Sequence, residues 1–261
     1  MRGAGHIRAP AALVKQSDMP NAPVTDLDVV EDFTATGKCD EGFLHVRRLR
    51  VRNLRADGSR SDVYRVDVVD RPRLDAVAVL VWRRGEHGLE FLTRQNLRPA
   101  AHFRHQKVPN VPDGRSHLFC EEIVAGLLET DDLGVPGLRH RAAQEVFEEA
   151  GYQVAEESVE LLGPPFFVAP GIISEKLFLA AVDVTGLQAS IAGGDGSALE
   201  EGGATAWRTL AALEAALADG TIQDAKTELA LRRFLARQLS ASASPAASSS
   251  VVLSSSTSVS V

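Results

Sequence analysis

The run Ala76-Val-Ala-Val-Leu-Val-Trp82 holds seven apolar residues without a polar break. A strand that is apolar on both faces must be covered on both faces, so this run predicts a buried central strand with other elements packed above and below it. At 261 residues the chain is long enough for such a core, in one or two domains.

The segments around it support that architecture. Phe43 to Leu54 alternates apolar and polar residues, Asp57-Gly58 supplies a tight turn, and Val63 to Val69 returns, which predicts an N-terminal hairpin. Gly85 and Gly88 turn the chain into a further strand over Leu89 to Arg94. Pro99 to Ser116 is loop-rich, and a strand from Leu118 to Val124 leads to Gly126. A loop containing Gly134, Pro136 and Gly137 then precedes a helix from Leu138 to Ala150, stopped by Gly151. Strands at Val159 to Leu162 and Lys176 to Val182, a loop over Gly193 to Gly203, and amphipathic helices at Leu210 to Ala218 and Asp224 to Leu239 complete the pattern. We therefore expect an α+β fold, an α/β/α sandwich with a mixed sheet, preceded by an antiparallel β extension. The boundaries are a loosely ordered segment at 1–40, the extension at 41–72, the main domain at 73–239, and a disordered Ser-rich tail at 240–261.

Charge narrows the partners. A net charge of -7 argues against a nucleic-acid or anionic-membrane surface. No apolar stretch is long enough to span a bilayer, and the stretch from Ala9 to Val14 is too short for a signal peptide. The two cysteines, Cys39 and Cys120, make no disulfide framework and fit a reducing compartment, so the expected location is cytoplasmic.

The chemistry concentrates at Gln144-Glu145-Val146-Phe147-Glu148-Glu149-Ala150-Gly151-Tyr152. On a helix, Glu145, Glu148 and Glu149 project from one face, at i, i+3 and i+4. Such a face is commonly just solvated, but three like charges repel unless a cation sits among them. Hard carboxylate oxygens suit Mg²⁺ or Mn²⁺, which also bind phosphates.

This segment resembles the Nudix box, G-x5-E-x7-R-E-U-x-E-E-x-G-U. Gln144 stands in the place of the arginine, Gly126 matches the opening glycine, and Asp132 lies where glutamate is usual, with four extra residues before the helix. Other segments are similar to the ADP-ribose pyrophosphatase branch of that superfamily: Thr93 to Ala100, Glu122 to Gly126, Pro170 to Lys176, Glu200 to Gly202, and Ile222 to Thr227. The proline at Pro170 is typical of members acting on nucleoside diphosphate sugars.

The resemblance implies a divalent-metal-dependent hydrolase that splits a nucleotide sugar, ADP-ribose first, into a nucleoside monophosphate and a sugar phosphate. It implies metal ligation by Glu145, Glu148, Glu149 and the carbonyl of Ala125, with Mg²⁺ expected and Mn²⁺ as the alternative. Glu175 would be general base or position the water, with Glu148 and Glu149 also catalytic. Arg98 and Arg94 would pair with phosphate oxygens, beside Pro170. In similar sugar-nucleotide hydrolases an N-terminal sheet is exchanged between subunits, so Phe43 to Val69 suggests a homodimer. The long loop and Gln144 favour a UDP-sugar diphosphatase as alternative. A sensor without turnover is the reading from another class, and a dinucleotide pyrophosphatase lacks support because the zinc cysteines of that group are missing. His102 and His105 read as loop surface, Trp82 and Trp207 as core.

Overall fold

A computed structural model describes residues 43–57, 60–194, 199 and 202–243. The expectations for the first 40 residues, for Cys39, for Gly58, for Glu200 and Glu201, and for the tail from residue 244 lie outside the described residues.

The apolar run becomes β3 (Ala76–Gly85), following the N-terminal hairpin of β1 (His45–Val51) and β2 (Tyr64–Asp70). β4 (Gly88–Leu97) returns beside β3, and the two pair from Trp82↔Phe91 to the turn. Beyond that point they diverge. β5 (Phe119–Glu122) pairs with β4, β6 (Val124–Leu127) pairs with β3, and Ile123 marks the break, so one segment is wedged into the fork. β7 (Glu160–Leu161) and β8 (Phe166–Phe167) both pair with β9 (Lys176–Asp183), which runs parallel to β3, and β10 (Thr205–Thr209) closes the other edge on β4.

Alternation along β3 builds two apolar layers. Ala76, Ala78 and Leu80 face Leu213, Ala216, Leu231 and Phe234 of two helices, α3 (Leu210–Ala218) and α4 (Ala225–Ala243). Val77, Val79 and Val81 face Ala142, Val146 and Ala150 of α2 (Gly134–Ala150). Each fully buried Val or Leu here contributes roughly 1.5–3 kcal/mol. The short helix α1 (Pro99–His102) stands at the end of β4. This is the α/β/α sandwich with a mixed sheet expected from the central run, with the hairpin ahead of it as a separate two-stranded sheet. The hairpin meets the turn that precedes β9, where Val69 N–H donates to the Ile172 carbonyl over 2.8 Å. Among the described residues no helix is long and apolar enough to cross a membrane.

Several boundaries differ from the sequence reading. α2 begins at Gly134 rather than Leu138. Gly134, Pro136 and Gly137 suggested a loop, but a first-turn proline loses no helix hydrogen bond, because those N–H groups have no partner within the helix anyway. α4 runs on to Ala243, past the expected end at Leu239. β8 and β10 were not anticipated, and the Pro99 to Ser116 segment contains α1 and a 3-10 turn at Phe103–Gln106.

Candidate active site

The site is built where α2 crosses the fork. Leu138, Ala142, Val146 and Ala150 bury one stripe of α2, which turns Glu145 and Glu149, four residues apart, toward β6. Glu149 Oε2 accepts the Ala125 N–H over 3.1 Å, and its Oε1 accepts Arg94 Nη1 over 2.6 Å. The Glu145 carboxyl lies so close over Gly126 that a Cβ there would collide with it. Only glycine admits this approach. Gly151 ends α2 in the left-handed conformation, φ 74°, and a Cβ there would strike the Ser190 carbonyl.

Glu148 turns along the helix instead, accepting Gln144 Nε2 over 2.9 Å. Two of the three expected ligands therefore gather at Ala125–Gly126 and the third does not. Among the described residues no group of three or more His, Cys, Asp or Glu side chains is disposed to hold a metal ion. Like charges on one face are costly, and protein groups answer them here: Arg94 for Glu149, Arg141 for Glu145, the Gln144 amide for Glu148. The donor chemistry still fits a hard divalent cation, since the side chains gathered at this glycine cradle are two carboxylates, Glu145 and Glu149.

Arg94 is only 7% exposed and ion-paired to Glu149. Arg98 stands between the end of β4 and α1. Its Nε and Nη2 clasp the two Glu122 oxygens at 2.7 and 2.8 Å, while 44% of its side chain stays exposed. The hydrogen bonds it donates to Glu122 hold the Arg98 guanidinium above its ordinary pKa. Burial would raise the Glu122 carboxyl, but Arg98 and Lys226 together hold it below the usual value. Arg98 lines a cavity of about 1070 Å³, walled also by Arg104, Arg115 and His117 from the β4–β5 connection, by Phe119 of β5, and by Thr221 and Gln223. The wall is tied by Asp113, which accepts His117 Nε2 over 2.8 Å and the Arg115 N–H over 3.2 Å. Cys120 also lines it, and burial pushes its thiol up, away from the reactive thiolate.

Glu175 sits just before β9 and is ion-paired to Arg71, while Ser174 donates to Asp70. The end of the hairpin thus grips the loop that carries Glu175. Pro170 is exposed in the turn before it. His102 is buried, at 5% exposure, and its ring packs edge-on to His105 at 4.7 Å between centroids, so the surface reading of His102 was incorrect. Trp82 and Trp207 pack against the two core layers as expected.

Sequence reasoning passed over Arg71, Arg141 and the arginine-lined cavity. For Arg141 a signal existed: it stands four residues before Glu145, one helical turn away.

No protein-family model matches the sequence, and no curated protein matches it. Among solved structures, the crystal structure of an ADP compounds hydrolase aligns over 76% of this chain and 94% of its own, with a TM-score of 0.50 and 15% identity. That likeness shows the fold alone: the chain has the Nudix-like α+β sandwich, preceded by an antiparallel hairpin.

Proposed function

We propose that the protein is a divalent-metal-dependent hydrolase that cleaves the diphosphate bond of a nucleoside diphosphate sugar, ADP-ribose first, to a nucleoside monophosphate and a sugar phosphate. The observation that carries this reading is the gathering of Glu145 and Glu149 at the Ala125–Gly126 backbone, inside a fold shared with an ADP compounds hydrolase. Glu145, Glu148, Glu149 and the Ala125 carbonyl would hold Mg²⁺ or Mn²⁺, which would neutralise the diphosphate and activate a water.

The protein's own groups do the rest. Arg98 spends Nε and Nη2 on Glu122, which fixes its plane and leaves Nη1 for a phosphate oxygen. Arg94 balances Glu149 and so sets its orientation. Glu175, steadied by Arg71, positions the attacking water or takes its proton. The cavity beside Arg98 receives the remainder of the ligand, and its volume suits a nucleotide-sized molecule. A UDP-sugar substrate is the second reading, favoured by Gln144 and the lengthened β6–α2 connection.

The test is a panel of ADP-ribose, UDP-glucose, other nucleoside diphosphate sugars and nucleoside triphosphates, assayed with Mg²⁺ for released monophosphate. We expect turnover of at least one diphosphate sugar. Turnover of triphosphates alone would refute the assignment.

A further inference from the structure

Arg141 has no part in the proposed function, yet it is largely enclosed beside the carboxylate face. Its side chain is 11% exposed, and Nε donates to Asp132 Oδ2 over 2.8 Å. Nη1 lies 3.9 Å from Glu145 Oε1. Asp132 is itself buried, at 4% side-chain exposure, and the same Oδ2 accepts the Glu129 N–H over 2.8 Å. The first turn of α2 packs so tightly on the Asp132 backbone that a Cβ on Gly137 would collide with it. One guanidinium therefore joins the β6–α2 connection, the helix and the carboxylate over Gly126.

Gln144 does not serve this purpose, because its amide is spent on Glu148. A planar fork with separate nitrogens can address two carboxylates at once, which a lysine ammonium on a flexible stem does poorly. A carboxylate this enclosed also needs a nearby cation to keep its charge in place.

We propose that Arg141, anchored by Asp132, is the positioning residue that holds the Glu145 carboxylate over Gly126 of β6 in the orientation needed to take a divalent cation. The role rests on the metal-dependent reading given above. Arg141 touches neither the cation nor the substrate; it acts through Glu145. Losing it removes one hold on Glu145 and unties the connection, so the cation is held less tightly, while the chemistry of an enzyme already loaded with metal changes less.

The experiment is calorimetric titration of the full chain with Mn²⁺, for the wild type, Arg141→Gln, Arg141→Lys and Asp132→Asn. Melting temperature and kcat at saturating Mn²⁺ are measured alongside. Arg141→Gln is expected to weaken Mn²⁺ binding about tenfold or more, as loss of a group that orients a ligand does, with a smaller change in kcat at saturation. Arg141→Lys, which keeps the charge and serves as the variant of record if Arg141→Gln fails to fold, is expected to lose part of that affinity. Asp132→Asn keeps a hydrogen bond and should lose least. His140→Gln, which removes only an exposed pair with Glu156, should bind Mn²⁺ as the wild type does. Folded Arg141 variants that bind Mn²⁺ within about twofold of wild type would overturn the role of Arg141 alone. A wild type that binds no Mn²⁺ would overturn the metal reading and this proposal together.

Discussion

Glu122 and the α2 glutamates stand on neighbouring elements of the same sheet-and-helix junction, but they are held in opposite ways. Glu122 is 4% exposed and is met from two sides, by the paired nitrogens of Arg98 and by Lys226, which Asp224 also binds over 2.9 Å. It braces β4, β5 and the start of α4. The α2 carboxylates are spread over separate partners, and two of them are gathered at one strand, beside a glycine that lacks a Cβ. A carboxylate bound by two cations joins parts of the fold. Carboxylates crowded on one helix face concentrate negative charge that an incoming cation can use. Two groups of acids that look alike in sequence thus differ in purpose, and the counter-charges distinguish them.

The largest expected effect is on Glu122. Glu122→Gln strands Arg98 and Lys226, and breaking a buried pair from one side costs about 3–5 kcal/mol. The exposed face of Arg98 puts the expected loss near the lower bound, about 3 kcal/mol by chemical denaturation. Acid should report the same brace. The folded Glu122 value lies below the ordinary 4.5, so its contribution is fully present above that pH and fades as pH falls through the lower folded value. A wild-type melting temperature that drops below about pH 4.5, with a shallower drop in Glu122→Gln, fits this sign. Identical acid profiles would break the comparison.

A smaller effect on stability is expected at Glu148, whose described partner is the neutral Gln144 amide. Glu148→Gln should change unfolding free energy by less than about 1.5 kcal/mol, the ordinary net worth of one hydrogen bond. It should nonetheless lower turnover. A variant as unstable as Glu122→Gln would place Glu148 among the braces.

Much of this arrangement was legible in the sequence. The Ala76 to Trp82 run gave the central strand, because only burial on both faces tolerates seven consecutive apolar residues. The i, i+3, i+4 spacing put Glu145, Glu148 and Glu149 on one face, and Gly151 marked the end of their helix. What sequence spacing could not reveal was how the face is neutralised. Arg94 meets Glu149 from 55 residues away, and Arg71 meets Glu175 from 104 residues away, so both pairings exist only after the sheet has assembled. β8 escaped for a related reason: a two-residue strand is defined by its neighbour β9 and not by its own pattern, and β10, which closes the edge on β4, follows directly on a glycine-rich stretch that reads as loop. His102 was misjudged because its burial comes from packing of the β4–β5 connection rather than from local periodicity.

The central claim is that the α2 glutamates carry the chemistry through a divalent cation. Its most direct test is monophosphate release from the best diphosphate sugar as a function of Mg²⁺, for the wild type and for folded Glu149→Gln and Glu175→Gln. No turnover is expected without metal. The Glu149→Gln rate should be lower by at least about 100-fold, about 2.7 kcal/mol of transition-state stabilisation, with a higher Mg²⁺ requirement. Glu175→Gln should lose roughly 10²–10⁴ in kcat with its Mg²⁺ requirement unchanged. A Glu149→Gln enzyme with the wild-type rate and the wild-type Mg²⁺ dependence would contradict the central claim.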